Sequence, residues 1–170
     1  MTSGGGPDPV QMRRAIALAR KAGLEDKTGR PFGSVVVGAG GKVLGEGSNQ
    51  VVARQDPTWH AEMEAIRAAC AKLGTTNLAG CTIYASSQPC PMCTGAIYWS
   101  GISHCYYGAG IEDLSKHGVY SSARDTFYGR EDRLEPPQRT QVPFTQIMRE
   151  EAAAVHGEYG KTAADQRANY

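Results

Sequence analysis

Apolar residues Val10, Met12, Ala15, Ile16, Leu18, Ala19 and Ala22 recur with the spacing of one helical face, which predicts a helix over 10–22 with Gly23 as its stop. Residues 32–37 and 43–47 read as two strands, and Gly38-Ala39-Gly40-Gly41 between them supplies the positive φ angles of a hairpin. A second helix is predicted over 60–73, with Ala61, Ala65, Ile66, Ala69 and Leu73 inward and Gly74 closing it. A strand over 81–85, a turn from Ser86 to Pro89, a helix over 90–100 and a strand over 104–107 follow. The order α-β-β-α-β-α-β implies a mixed sheet packed between helices.

Past Gly108 the pattern weakens to a helix over 111–117, a turn-rich stretch through Pro136-Pro137 and a short helix over 148–155. This divides the chain into a flexible start (1–9), one domain (10–148) and a polar arm (149–170) too poor in apolar surface to fold alone. That arm must pack on something else, such as a neighbouring subunit.

A length of 170 residues with 41% hydrophobic content suits one globular domain. The 18 lysines and arginines are interspersed with 17 acids, so charge gives no case for gripping a polyanion and disfavours a nucleic-acid partner. No apolar run is long enough for a membrane span, and the Gly/Pro-rich start does not resemble an export signal. The five cysteines do not resemble a secreted disulfide framework, which points to a reducing cytoplasm. Cys70, Cys81 and Cys105 read as small buried hydrophobes.

The candidate chemistry lies in His60-Ala61-Glu62 and, one helix and one strand later, Pro89-Cys90-Pro91-Met92-Cys93. Imidazole and thiolate are zinc donors, and a catalytic zinc keeps three protein ligands so that water can take the fourth position. His60, Cys90 and Cys93 supply three, with no obvious fourth. Both groups fall at predicted helix starts, where unpaired amides favour thiolate. Glu62, two residues past His60, can face the same cavity and carry protons without binding metal. The alternatives are a helix-end histidine beside a Cys90/Cys93 redox pair, or a purely structural zinc site.

This H-x-E and P-C-x-x-C pattern resembles the cytidine-deaminase-like superfamily of zinc nucleobase deaminases. Pro31-Phe32-Gly33, Ser48-Asn49-Gln50, Ala65-Ile66-Arg67 and Gly95-Ala96-Ile97-Tyr98-Trp99 bring it closest to bacterial guanine deaminases, with tRNA adenosine deaminases as relatives. The resemblance covers residues 10–108 and implies a three-layer α/β/α sandwich with a mixed five-stranded sheet, bound Zn2+ and a homodimer. It also implies that Asn49 hydrogen-bonds the base, where the plain reading is a turn residue, and that Phe32 and Trp99 line the planar ring, where Phe32 is equally a core aromatic. Ala61, Trp59 and Gln88 join this substrate-facing set. A late aspartate, Asp125, would assist proton transfer, and the tail ending at Tyr170 would close the pocket of the other subunit; a surface aspartate and a loose chain end are the plain alternatives.

Two positions depart from the guanine deaminase pattern. Trp59 stands where a small residue is usual, and Ser87-Gln88 where Cys-Glu is usual, so substrate preference can differ while the zinc chemistry stays the same. The expected activity is hydrolytic deamination of a small nucleobase or nucleoside, guanine to xanthine and ammonia. Alternatives are another purine, its nucleoside or an aminotriazine; an adenosine in tRNA; or, in a different class, a non-catalytic module stapled by zinc.

Overall fold

The computed structural model describes residues 6–119, 142–162 and 166–167. Helix α1 (Pro9–Arg20) starts with Asp8 accepting from the Val10 N–H at 2.9 Å and buries Met12, Ala15 and Ala19. Gly23 is not its stop. The chain passes into a π-helical turn, Lys21–Glu25, closed by the Asp26 N–H on the Lys21 carbonyl, and Gly23 is needed because a Cβ there would lie 2.7 Å from Pro31.

Strands β1 (Gly33–Val37) and β2 (Val43–Ser48) form the expected hairpin, with Gly40 at φ 67° and Gly41 at φ 76° in the turn. A single helical turn, α2 (Val51–Arg54), leads to α3 (Ala61–Leu73), which Gly74 ends in the left-handed region at φ 66°. Then come β3 (Thr82–Ser87), α4 (Pro91–Trp99), β4 (His104–Ala109), α5 (Ile111–Lys116), β5 (Phe144–Gln146) and α6 (Arg149–Gly160).

The five strands lie in the order β2-β1-β3-β4-β5. β1 is antiparallel to β2 and β3, while β3, β4 and β5 run parallel, giving the mixed sheet that the resemblance implies. Alternation along β1 sends Val36 to one face, with Ile83, Cys105, Ala65, Ala69 and Ile97, and Val35 and Val37 to the other, with Met12, Ala15, Tyr84 and Tyr106. Both faces are covered, so the central strands read as continuous apolar runs. Glycines set the spacing to the helices: a Cβ on Gly47 would overlap the Ala61 carbonyl of α3, and one on Gly33 the Ala15 carbonyl of α1. Leu73, expected inward, is exposed in the last turn of α3.

Helix α6 runs beyond the expected 148–155 because Ala152, Val155, His156 and Tyr159 form a buried stripe at i, i+3, i+4 and i+7. It packs on β4 and α1 of its own chain. Arg13–Glu151 at 3.0 Å, Arg20–Glu158 and Arg149–Asp113 at 2.8 Å tie it to α1 and α5. Among the described residues no helix is long and apolar enough to cross a membrane.

Candidate metal and active site

His60 and Cys90 occupy equivalent positions, each an extended N-cap residue at the start of a helix, α3 and α4. α4 begins just past the carboxyl end of β3, where the strand's backbone hydrogen bonds run out and a crevice opens. Pro91 fits the first helical position because that position needs no N–H donor. The first turn of α4 then brings Cys93 back beside Cys90, whose sulfur accepts from the Cys93 N–H at 3.5 Å.

His60 Nδ1 lies 3.6 Å from Cys90 Sγ and 3.5 Å from Cys93 Sγ, and the two sulfurs are 3.5 Å apart. Zinc–sulfur bonds of about 2.3 Å and zinc–nitrogen bonds of about 2.05 Å at tetrahedral angles require separations of about 3.6 Å for S···N and about 3.8 Å for S···S. The donor set and its spacing fit zinc. Among the described residues this is the one group of three or more such side chains placed to share an ion.

The sulfurs are electrostatically unequal. Hydrogen bonding from Cys93, with His60 adding to it, brings the Cys90 thiol down to about 4, whereas the Cys90 thiolate and burial push Cys93 well above its ordinary value. One proton is therefore shared by the pair, and zinc binding must displace it. Glu62 is 7% exposed, and burial first, then the negative Cys90, raises its carboxyl above the usual range. Cys90, His60 and Cys93 all act on that carboxyl, so Glu62 lies beside the donor cluster. A carboxyl made hard to ionise and held beside a metal site is suited to taking up and releasing a proton. Glu64, in the same first turn of α3, does structural work instead, accepting from the Ser48 N–H at 2.7 Å and joining the end of β2 to α3.

Asn49, fully buried just past β2, is built into the chain as a corner. Its Oδ1 accepts from Val51 N at 3.2 Å, its N–H donates to the Phe32 carbonyl at 3.0 Å, and its carbonyl accepts from Thr28 Oγ1 at 2.9 Å. Phe32 is half-buried against Leu24, Leu114, Val119 and Tyr159. Ala61 is fully buried at the first position of α3.

Trp59 does not simply fill a pocket beside His60: the Arg54 and Arg67 guanidinium groups lie 4.7 and 5.1 Å from its ring centroid. The Gln88 side chain turns to the start of α5, where Oε1 accepts from Ile111 N at 3.4 Å. Trp99 is 85% exposed and meets Tyr98 edge-on, so its ring stands in solvent. Asp125 and Tyr170 lie outside the described residues.

One buried pair escaped the sequence reading. Ser87 Oγ, at the end of β3, is 2.7 Å from Nε2 of His156 on α6. The only sequence sign of it is a histidine standing in the apolar stripe of 152–159.

An open three-donor zinc site with a proton carrier against it is equipment for hydrolysing an aromatic amine, and the class so defined is the zinc-dependent deaminases. The chain belongs to the cytidine and deoxycytidylate deaminase family, whose zinc-binding region matches residues 8–109. It is 40% identical over 136 residues to the guanine deaminase of Bacillus subtilis, covering 80% of this chain and 83% of that protein. It is 39% identical over 102 residues to the tRNA-specific adenosine deaminase of the same organism, covering 60% of this chain and 62% of the relative. The structure of a guanine deaminase from Nitrosomonas europaea superposes with a TM-score of 0.77 at 26% identity, over 93% of this chain and 87% of that one. The protein is a zinc-dependent deaminase, and His60, Cys90 and Cys93 are placed to hold its metal.

Proposed function

We propose that the chain hydrolyses guanine to xanthine and ammonia. The observation that carries this reading is the buried Glu62 set against the His60-Cys90-Cys93 cluster, in a chain 40% identical to a guanine deaminase across most of both lengths. Zinc, when bound, supplies a water activated as nucleophile towards the amino-bearing ring carbon. Glu62 takes the proton released from that water, delivers it to the neighbouring ring nitrogen, and later protonates the departing amine, so that guanine and water give xanthine and ammonia. His60, Cys90 and Cys93 fix the reacting centre relative to Glu62. 

In this reading Asn49 offers its amide to the purine edge and Phe32 faces the ring. Residues 10–148 form the deaminase domain, Asp125 assists proton transfer, and the tail ending at Tyr170 covers the pocket of a second copy in a homodimer. Trp99, exposed in one protomer, would be covered in that dimer. Five free thiols agree with a reducing cytoplasm as its location.

A second reading has one specific observation in its favour. Gln88 is neutral and bonded towards α5, and two arginines crowd Trp59, so the rim is electrostatically different from one with a carboxylate at 88. Another aminated purine, its nucleoside or an aminotriazine fits that change. An adenosine in tRNA is less well served by a formal net charge of +1. Ammonia release from guanine, guanosine, adenine, adenosine, cytosine, aminotriazines and a tRNA anticodon arm decides among them. Turnover of guanine above all the others is expected; turnover of a different ring, with guanine inert, overturns the substrate while leaving the class intact.

A further inference from the structure

The Ser87–His156 pair is nearly dry, with Ser87 3% and His156 1% exposed, and it joins the last helix to the strand that runs into the metal-ligand turn. Nδ1 of His156 is buried and has no hydrogen-bond partner among the described residues, so the Ser87 contact is the bond that this imidazole makes. Burial, assisted by the nearby His117 and opposed by Asp113, lowers its pKa to about 3, which leaves the ring neutral at physiological pH. A neutral imidazole is donor at one nitrogen and acceptor at the other, and losing the bond to Ser87 would strand Nε2 and the Ser87 hydroxyl in a buried setting.

The pair also adjoins, through neighbouring residues of the backbone, a set of separate hydrogen bonds that leads to Asn49. Ser86, next to Ser87, accepts from the Gly33 N–H at 3.0 Å; Gly33 follows Phe32, whose carbonyl accepts from the Asn49 N–H at 3.0 Å; and Asn49 Oδ1 accepts from Val51 N at 3.2 Å. The His156 ring lies 5.5 Å from the Phe32 ring, tilted by 49°. One side chain of α6 therefore touches both the aromatic and the strand end on that side of the site. The metal donors and Glu62 are held separately, by the N-termini of α3 and α4.

We infer that His156 is a positioning residue for the aminated base, acting through Ser87 and Phe32 to hold the base-facing edge formed by Phe32 and Asn49. This deepens the proposed function and rests on it for the roles of Phe32 and Asn49. A group that fixes where the base sits, while leaving zinc and Glu62 untouched, weakens substrate binding when removed and leaves the chemical step close to its normal rate.

The test is steady-state ammonia release and zinc content for the full chain and for His156→Leu, His156→Gln, Ser87→Ala and the His156→Leu/Ser87→Ala pair, on whichever ring the wild type turns over fastest. Gln is the rescue variant because its terminal amide can reach the position of Nε2. Leu and Ala should each raise KM roughly tenfold with kcat within about twofold and zinc unchanged, the double variant should be no worse than the poorer single one, and Gln should restore KM. KM unchanged in Ser87→Ala, additive effects in the double variant, or kcat and zinc falling together with KM overturns the inference. If His156→Leu does not fold, His156→Gln and Ser87→Ala still decide: Gln must stay near wild type and Ala must raise KM. A wild type that turns over another ring but not guanine refutes guanine as substrate and leaves this test intact. A wild type that releases ammonia from no ring refutes both.

Discussion

At the scale of single residues, function rests on unequal treatment of neighbouring side chains. His60 and Glu62 are two positions apart, yet one reaches the sulfurs and the other is held as a carboxyl whose ionisation is discouraged by burial and by Cys90. Glu62→Ala is expected to retain zinc and to lose at least about 10²-fold in kcat, the usual scale for a general acid/base; metal analysis beside ammonia release checks both. The raised pKa of Glu62 also sets a sign. Because the carboxylate must accept the first proton, kcat/KM should fall on acidification through a pKa above that of an ordinary glutamate, read from a pH–rate profile. His156 gives a pH effect on stability instead of activity. Its folded pKa of about 3 lies below the ordinary value of about 6.5, so the unfolded chain binds the extra proton between those limits and stability falls as pH drops through that window. Equilibrium unfolding of His156→Gln across the same window should show a shallower slope than the wild type.

Among elements, close approach decides what each helix can do. Gly45 and Gly47 let α3 sit directly on β2: a Cβ at either would overlap the α3 backbone at Ala65 or Ala61, and Ala61 adjoins both His60 and Glu62. Gly47→Ala should cost about 1–3 kcal/mol as an overpacked contact. A lower melting temperature, with a loss of zinc affinity as the start of α3 is displaced, checks it.

The elements that the sequence made legible are those with a period. α1, the β1–β2 hairpin, α3, β3, α4 and β4 all announced themselves by apolar spacing and by their end residues, and the metal cluster followed because its ligands mark helix starts. α2 has four residues and β5 three, too few for any period to show, and β5 is largely exposed. Gly23 misled as a helix stop because a glycine required by the nearness of Pro31 looks the same in sequence as one that ends a helix. Trp99 belongs to a motif whose spelling says nothing of which way the ring faces. That ring stands in solvent because the fold leaves the end of α4 uncovered.

For the whole molecule, the mixed sheet serves to bring two helix N-termini to one edge, and α6 closes the opposite face of the same sheet. The arm expected to need a neighbour thus packs on its own chain from residue 149 through residue 160. The chain is similar both to a relative named for a free base and to one named for tRNA, so family membership defines the class of reaction and leaves the choice of amine to the residues around the site. Chelation should abolish turnover, and added zinc should restore it, with little change in secondary structure by circular dichroism, since the apolar clusters on both faces of the sheet are built from side chains other than the metal donors.

The claim beneath all of this is that three side chains of this chain hold zinc and leave one position to water. X-ray absorption at the zinc edge of the purified protein tests it most directly. The expected shell has two sulfurs at about 2.3 Å and two lighter atoms at about 2.0–2.1 Å, with Cys90→Ser removing one sulfur. A shell of three or four sulfurs, or zinc retained unchanged in Cys90→Ser, would contradict it.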